Sequence, residues 1–68
     1  MTFSQKVKYL RKQRGLTQTE LAKLTNLTQG AISLFEAGKM KPKADALLSL
    51  ANVLKIDPAA LMNDERSV

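Results

Sequence analysis

Apolar residues recur along this chain at steps of three and four, the spacing of one face of an α-helix. In the first segment Phe3, Val7, Leu10 and the aliphatic stem of Arg14 share a stripe, with Gln5, Lys8 and Lys12 opposite. Thr2 followed three residues later by Gln5 is a capping-box signature, and Gly15 suits the left-handed position after a helix. A first helix is therefore predicted from about Thr2 to Gly15. At 100° per residue Arg11 falls roughly 90° from the centre of the stripe, at the border between core and water.

The next apolar positions, Leu21, Leu24, Leu27, Ala31 and Leu34, would also fit one long helix. Local signals divide it. Thr17 and Glu20 form a second capping box, opening a helix whose apolar contacts are Leu21, Ala22 and Leu24. The run TNLT at 25–28 has mediocre helix propensity. Within it Asn26 is the non-glycine type that most readily accepts positive φ, and Thr28 is a good N-cap. Gly30 would cost a continuous helix about a further 1 kcal/mol. These signals predict two short helices with a sharp break at Asn26.

A third helix from about Gln29 to Ala37 turns Ala31, Ile32 and Phe35 towards the core. Its other side carries Gly30, Ser33 and Ala37, flanked by Gln29 and Leu34. That side is small and uncharged, unlike an ordinary solvated face, and suits close approach to another surface. Gly38 ends the helix, and KMKPK follows as a basic loop in which Pro42 bars further helix. From about Ala44 to Leu54 the residues Leu47, Leu48, Leu50, Ala51 and Leu54 predict a central buried helix. Asp57 as N-cap and Pro58 at the first helical position open a short fifth helix ending near Met62. No strand-length alternation, repeat or linker appears. The fold class predicted is an all-α, compact bundle of five short helices.

Sixty-eight residues suit one small core, which buries about 60% of the surface its unfolded chain exposes. The chain has no cysteine and no histidine, so disulfides, Cys/His metal sites, and thiol or imidazole chemistry are excluded. The few acids are scattered, and no nucleophile-and-base constellation appears, which argues against an enzyme. No metal or cofactor is expected. No apolar run approaches the roughly 20 residues of a membrane span, and MTFSQKVKYL lacks a signal peptide's apolar core. A cytoplasmic location without membrane contact is expected.

The net charge of +5 is unevenly spread. Through Lys43 the chain has nine basic residues against Glu20 and Glu36; from Ala44 onward Lys55 and Arg66 face four acids. The positive field belongs to the first two thirds and favours polyanions such as DNA, RNA or an acidic membrane surface.

Two short helices separated by a three-residue turn, the second with a small polar outward face, make a helix-turn-helix. The run LTQTELAKLTNLTQGAISLFEAGKMKP resembles the DNA-binding domains of the lambdoid phage Cro and repressor proteins, within the wider Cro/repressor-type, XRE-like family of bacterial regulators. The resemblance rests on Gln18 opening the second helix, Ala22 at the close helix crossing, and Ile32 and Phe35 inward on the third. The E-x-G-K of Glu36 to Lys39 and a following proline complete it. It reaches from the first helix to DPAAL.

The resemblance implies a domain over residues 1–63, with 64–68 as a polar tail, and a recognition helix at Gln29–Ala37 lying in the major groove. Gln29 matches the principal base-reading position, where a glutamine bonds adenine bidentately. Gly30 and Ser33 match neighbouring contacts, and Leu34 a position that meets a thymine methyl. Gln18 matches a phosphate contact that also braces Gln29. Thr28 and the loop lysines Lys39, Lys41 and Lys43 join it as phosphate contacts. Arg11 and Glu36 match a partly buried ion pair. Met40, Pro42, Pro58, Ala59 and Met62 follow the family's usual dimer region.

Four departures stand out. Gly30 replaces a common polar contact, which shifts specificity towards DNA shape. Asn26 and Lys55 stand where glycine is usual, and Lys43 where serine usually caps.

The function implied is a sequence-specific, double-stranded DNA-binding transcriptional regulator, a repressor acting as a homodimer on a palindromic operator. No small-molecule ligand is evident. Its place would be the nucleoid of a bacterial or phage-infected cell. The competing class is a protein-interaction module, such as an antitoxin or a phage decoy, using the same fold.

Overall fold

The computed structural model describes residues 1–63 and contains α1 (Phe3–Gln13), α2 (Gln18–Thr25), α3 (Gln29–Glu36), α4 (Ala44–Leu54) and α5 (Pro58–Met62). The tail expected at 64–68 lies outside the described residues. The all-α expectation holds, with no strand among the described residues. Both predicted capping boxes form. Thr2 Oγ1 accepts from Gln5 N while Gln5 Oε1 accepts from Thr2 N, and Thr17 and Glu20 repeat the exchange. The bonds from the Thr17 backbone and hydroxyl hold the Glu20 carboxyl below its ordinary range.

The break at Asn26 is real, and it follows a rule used four times. Gly15, Asn26, Gly38 and Lys55 each take the left-handed conformation just past a helix, at φ 67°, 58°, 75° and 58°. In each case the next N–H reaches back to a carbonyl of the last turn: Leu16 to Arg11, Leu27 to Ala22, Lys39 to Leu34 and Ile56 to Ala51. This closure satisfies carbonyls that a helix end leaves orphaned. Asn26 tolerates the geometry. Lys55 bears its full steric cost, about 1–2 kcal/mol for an L side chain, against which glycine's extra unfolded entropy of about 0.5–1 kcal/mol must be set. Lys55→Gly is therefore expected to stabilise the domain by about 0.5–1 kcal/mol, read as a higher midpoint in urea. A fall in the midpoint would show that the Lys55 side chain contributes packing that outweighs its strain.

The core draws on every helix: Phe3 and Val7, Leu21 and Ala22, Ile32 and Phe35, Leu50, Ala51 and Leu54, and Leu61. Phe3 and Phe35 meet edge to face, with ring centroids 6.0 Å apart at 75°, the arrangement that aromatic quadrupoles favour.

Several predicted details are corrected. Leu24 and Leu48 are 60% and 57% exposed, not core. The buried stripe of α2 is Leu21, Ala22 and Thr25, and that of α4 is Leu50, Ala51 and Leu54; at 100° per residue each leucine lies roughly 110° from its stripe's centre. Helix α4 is thus buried on one side only. Thr25, read as part of the turn, closes α2 and is buried, its hydroxyl donating to Leu21 O at 2.7 Å. Arg14 is the C-cap of α1 and exposed, so its stem leaves the stripe. Helix α3 ends at Glu36, with Ala37 as cap. Asp57 occupies the N-cap of α5 without a side-chain capping bond.

Lys6, counted within the positive surface by composition, is buried instead. It lies beside Phe3 at the edge of the apolar stripe of α1, and Nζ donates to Ala60 O at 2.7 Å and to Asn63 O. A cation there satisfies the carbonyls at the C-terminus of α5. It ties the two ends of the described chain together and is spent structurally.

Candidate nucleic-acid interface

The shape of the site follows from the turn. The bend between α2 and α3 lets Ile32 and Phe35 enter the core while Gln29, Gly30 and Leu34 stay exposed and Ser33 half-buried. Nothing lies within 4 Å of where a Cβ would stand on Gly30. Glycine is not required there by packing within the chain, so its effect is to lower the surface. Thr28 caps α3, its hydroxyl accepting from Ala31 N at 3.1 Å. That hydroxyl retains a proton to donate outward.

A hydrogen-bonded chain runs inward from this face. Gln29 Nε2 donates to Gln18 Oε1 at 2.7 Å, and Gln18 Nε2 donates to Glu36 Oε1 at 3.2 Å. Arg11 then closes on Glu36 bidentately, Nε to Oε2 at 2.6 Å and Nη2 to Oε1 at 3.0 Å. Its remaining arm donates to Leu16 O at 2.8 Å. The two side chains are 10% and 5% exposed, so the pair lies beneath the surface. Its hydrogen bonds to Glu36, reinforced by the charge, raise the Arg11 pKa against the opposing effect of burial.

The basic residues fall into two groups around α3. Lys39, Lys41 and Lys43 are exposed on the segment that leaves its C-terminus. Lys43 is the N-cap of α4 and makes no side-chain capping bond. Lys8 and Lys12 of α1 line a surface groove together with Gln18, Ser33 and Ala37. These two lysines were not singled out in the sequence. The signal was their place opposite the apolar stripe of α1, but only the packing of α1 beside α3 shows that they border its outward face.

The suggested dimer residues are dispersed in character. Met40 and Ala59 are exposed, Pro42 and Pro58 half-buried, and Met62 packs against the core. Among the described residues no group of three or more acidic, histidine or cysteine side chains is placed to hold a metal. No helix there is long and apolar enough to cross a membrane.

Two short helices meeting across a three-residue turn that opens with the left-handed Asn26, the second presenting a low, uncharged face beside lysines, define a helix-turn-helix protein. The chain belongs to the helix-turn-helix family, whose sequence model matches residues 7–61, a family of DNA-binding transcription regulators and not of enzymes. It is 34% identical over 65 residues to the immunity repressor protein of Bacillus phage phi105, covering 96% of this chain and 45% of that protein. Among solved structures it matches the P22 c2 repressor protein in complex with a synthetic operator, at a TM-score of 0.88 and 26% identity over 91% of this chain and 94% of that one. It also matches the restriction-modification controller protein C.AhdI from Aeromonas hydrophila, at a TM-score of 0.81 and 33% identity over 88% of this chain and 91% of that one. The chain spans about half the length of the curated relatives it matches.

Proposed function

We propose that the chain is a sequence-specific reader of double-stranded DNA that represses transcription, with α3 seated in the major groove. The observation that carries this reading is the outward face of α3: Gln29, Gly30, Ser33, Leu34 and Ala37 bear no charge, yet Lys8 and Lys12 of α1 border it and the segment leaving α3 carries three more exposed lysines. An uncharged strip with cations beside it suits base edges next to a phosphate backbone. The fold shared with an operator-bound repressor supports the same reading.

In this reading Gln29 reads an adenine, Gly30 and Ser33 approach base edges, and Leu34, 42% exposed, meets a thymine methyl. Gln18, Thr28, Lys39, Lys41 and Lys43 hold phosphates, with Lys8 and Lys12 adding to them. One copy touches too few base pairs for high specificity. Two copies on a two-fold operator place their recognition helices about 34 Å apart. Met40, Pro42, Pro58 and Ala59 form the dimer surface, with the exposed edge of Met62. The protein acts where DNA lies, in the cytoplasm.

Selection from a random pool of duplex DNA tests this. A two-fold symmetric consensus, bound about 1,000-fold or more tightly than bulk DNA, is the expected result; an unstructured pool would refute it and favour the protein-interaction module. Residue roles separate by variant. Gln29→Ala is expected to relax preference at one base pair per half-site, a loss of about 1–3 kcal/mol. Lys39→Ala should weaken all sequences alike and flatten the salt slope by about one unit. Identical effects from the two would overturn the assignment of base-reading and phosphate-holding roles.

A further inference from the structure

We infer that Glu36, which touches no DNA in the reading above, is a positioning residue that fixes which base Gln29 accepts. The inference rests on Gln29 being the base reader. A glutamine side chain offers an acceptor on one side and a donor on the other, and turning the amide over exchanges them. An unrestrained Gln29 therefore presents either sense. Held one way, Oε1 and the outer N–H match the N6 donor and N7 acceptor of adenine; turned over, the amide presents its donors first and suits the O6 and N7 acceptors of guanine.

The fold removes this ambiguity, and the source is the buried ion pair. Arg11 donates to both oxygens of Glu36, and a carboxylate in such a pair only accepts. Gln18 must therefore turn its NH2 towards Glu36, as it does at 3.2 Å. That leaves Gln18 Oε1 facing Gln29, so Gln29 must turn its own NH2 inward, as it does at 2.7 Å. Each sense follows from the one before it, and the first is set by a group that cannot be reversed. What Gln29 shows to the outside is then one oxygen and one N–H in the order that adenine requires. The polarity of a base contact is thus dictated from a side chain 5% exposed, seven positions further along the chain.

Two variants separate this relay from structural support. Gln18→Met keeps the ion pair and cuts the relay, so Gln29 becomes free to turn. Glu36→Gln replaces the irreversible acceptor by an amide that can present N–H to Gln18, allowing the whole relay to run in the opposite sense. In the protein without DNA, the side-chain amide protons of Gln18 and Gln29 are expected to give dispersed, slowly exchanging NMR signals. In Gln18→Met the Gln29 pair should move to the positions of a solvated amide. In selection from random duplex DNA, the wild type should enrich adenine over guanine at the Gln29 base pair by about tenfold or more, within what one bidentate contact supplies.

Both variants should reduce that ratio by about tenfold, with ratios at the other base pairs of the half-site held within about threefold. Loss of stability or of phosphate contact lowers affinity for every sequence together and does not move this single ratio. An unchanged ratio in folded Gln18→Met, or solvated amide signals in the wild type, would overturn the inference whatever Glu36→Gln does. An unstructured wild-type pool alongside intact amide signals would instead bring down the proposed DNA reading, and the inference with it, while showing that the relay itself had formed.

Discussion

Glu36→Ala is expected to lower the unfolding free energy by about 3–5 kcal/mol, the range for removing one partner of a buried ion pair. The reason is less the lost attraction than what remains. Arg11 is 8% exposed, and without Glu36 only its bond to Leu16 O at 2.8 Å survives, leaving Nε and Nη2 buried without an acceptor. A domain of this length has a total stability of roughly 3–10 kcal/mol at 0.05–0.15 kcal/mol per residue, so the loss removes a third of it or more. Urea unfolding followed by circular dichroism reads the change. The double variant Arg11→Met, Glu36→Leu should lie within about 1 kcal/mol of the wild type, because well-packed apolar residues replace a buried pair at little cost. A single variant no worse than a surface change, about 0.5 kcal/mol, would mean that Arg11 reaches water easily and that the pair is not a structural tie.

The parts of this structure that were legible in the sequence are those decided within one turn of chain. Thr17 and Glu20 are three residues apart and their exchange of hydrogen bonds is local, so the start of α2 can be read directly. Asn26 and Gly38 mark helix ends because the left-handed conformation is a property of a single residue. Where the sequence misled, the helix was too short to fix its own phase. Over the eight residues of α2 a stripe through Leu21 and Leu24 fits nearly as well as one through Leu21, Ala22 and Thr25, and only the packing of α2 against α3 and α4 decides between them. Lys6 was illegible for a different reason: its partners, Ala60 and Asn63, lie 54 and 57 residues away.

The site divides along the same line. The outward character of Gln29, Ser33 and Leu34 follows from the break at Asn26 together with the inward pull of Ile32 and Phe35. The border position of Arg11 is visible from the angle it makes with Phe3, Val7 and Leu10. By contrast, the link from Gln18 to Glu36 spans 18 residues, and no periodicity places those groups together. The closeness of Lys8 and Lys12 to Ser33 likewise depends on how α1 crosses α3. Local rules identify which face a residue occupies; which faces adjoin is a property of the packed bundle.

Adjacent residues on α3 give the sharpest test of that packing. Phe35→Ala is expected to cost about 3–5 kcal/mol, since it removes a fully enclosed ring and leaves a cavity that the neighbouring helices cannot close. Phe35 is 3% exposed and meets Phe3 edge to face, a contact worth about 0.5–1.5 kcal/mol beyond the area buried. At about 4–8 °C per kcal/mol for a domain of this size, the melting temperature should fall by more than about 10 °C. Leu34→Ala, one position earlier, should change stability by no more than about 0.5 kcal/mol, because Leu34 is 42% exposed. In DNA selection the order reverses. Leu34→Ala alters preference for thymine at one base pair, whereas Phe35→Ala, measured at a temperature where it is still folded, retains the wild-type consensus. Comparable stability losses from the two variants would mean that α3 is rotated by about a third of a turn from the position described, with Leu34 inside. In that orientation Gln29 would no longer lie beside Gln18, and the face assigned to DNA would be part of the core.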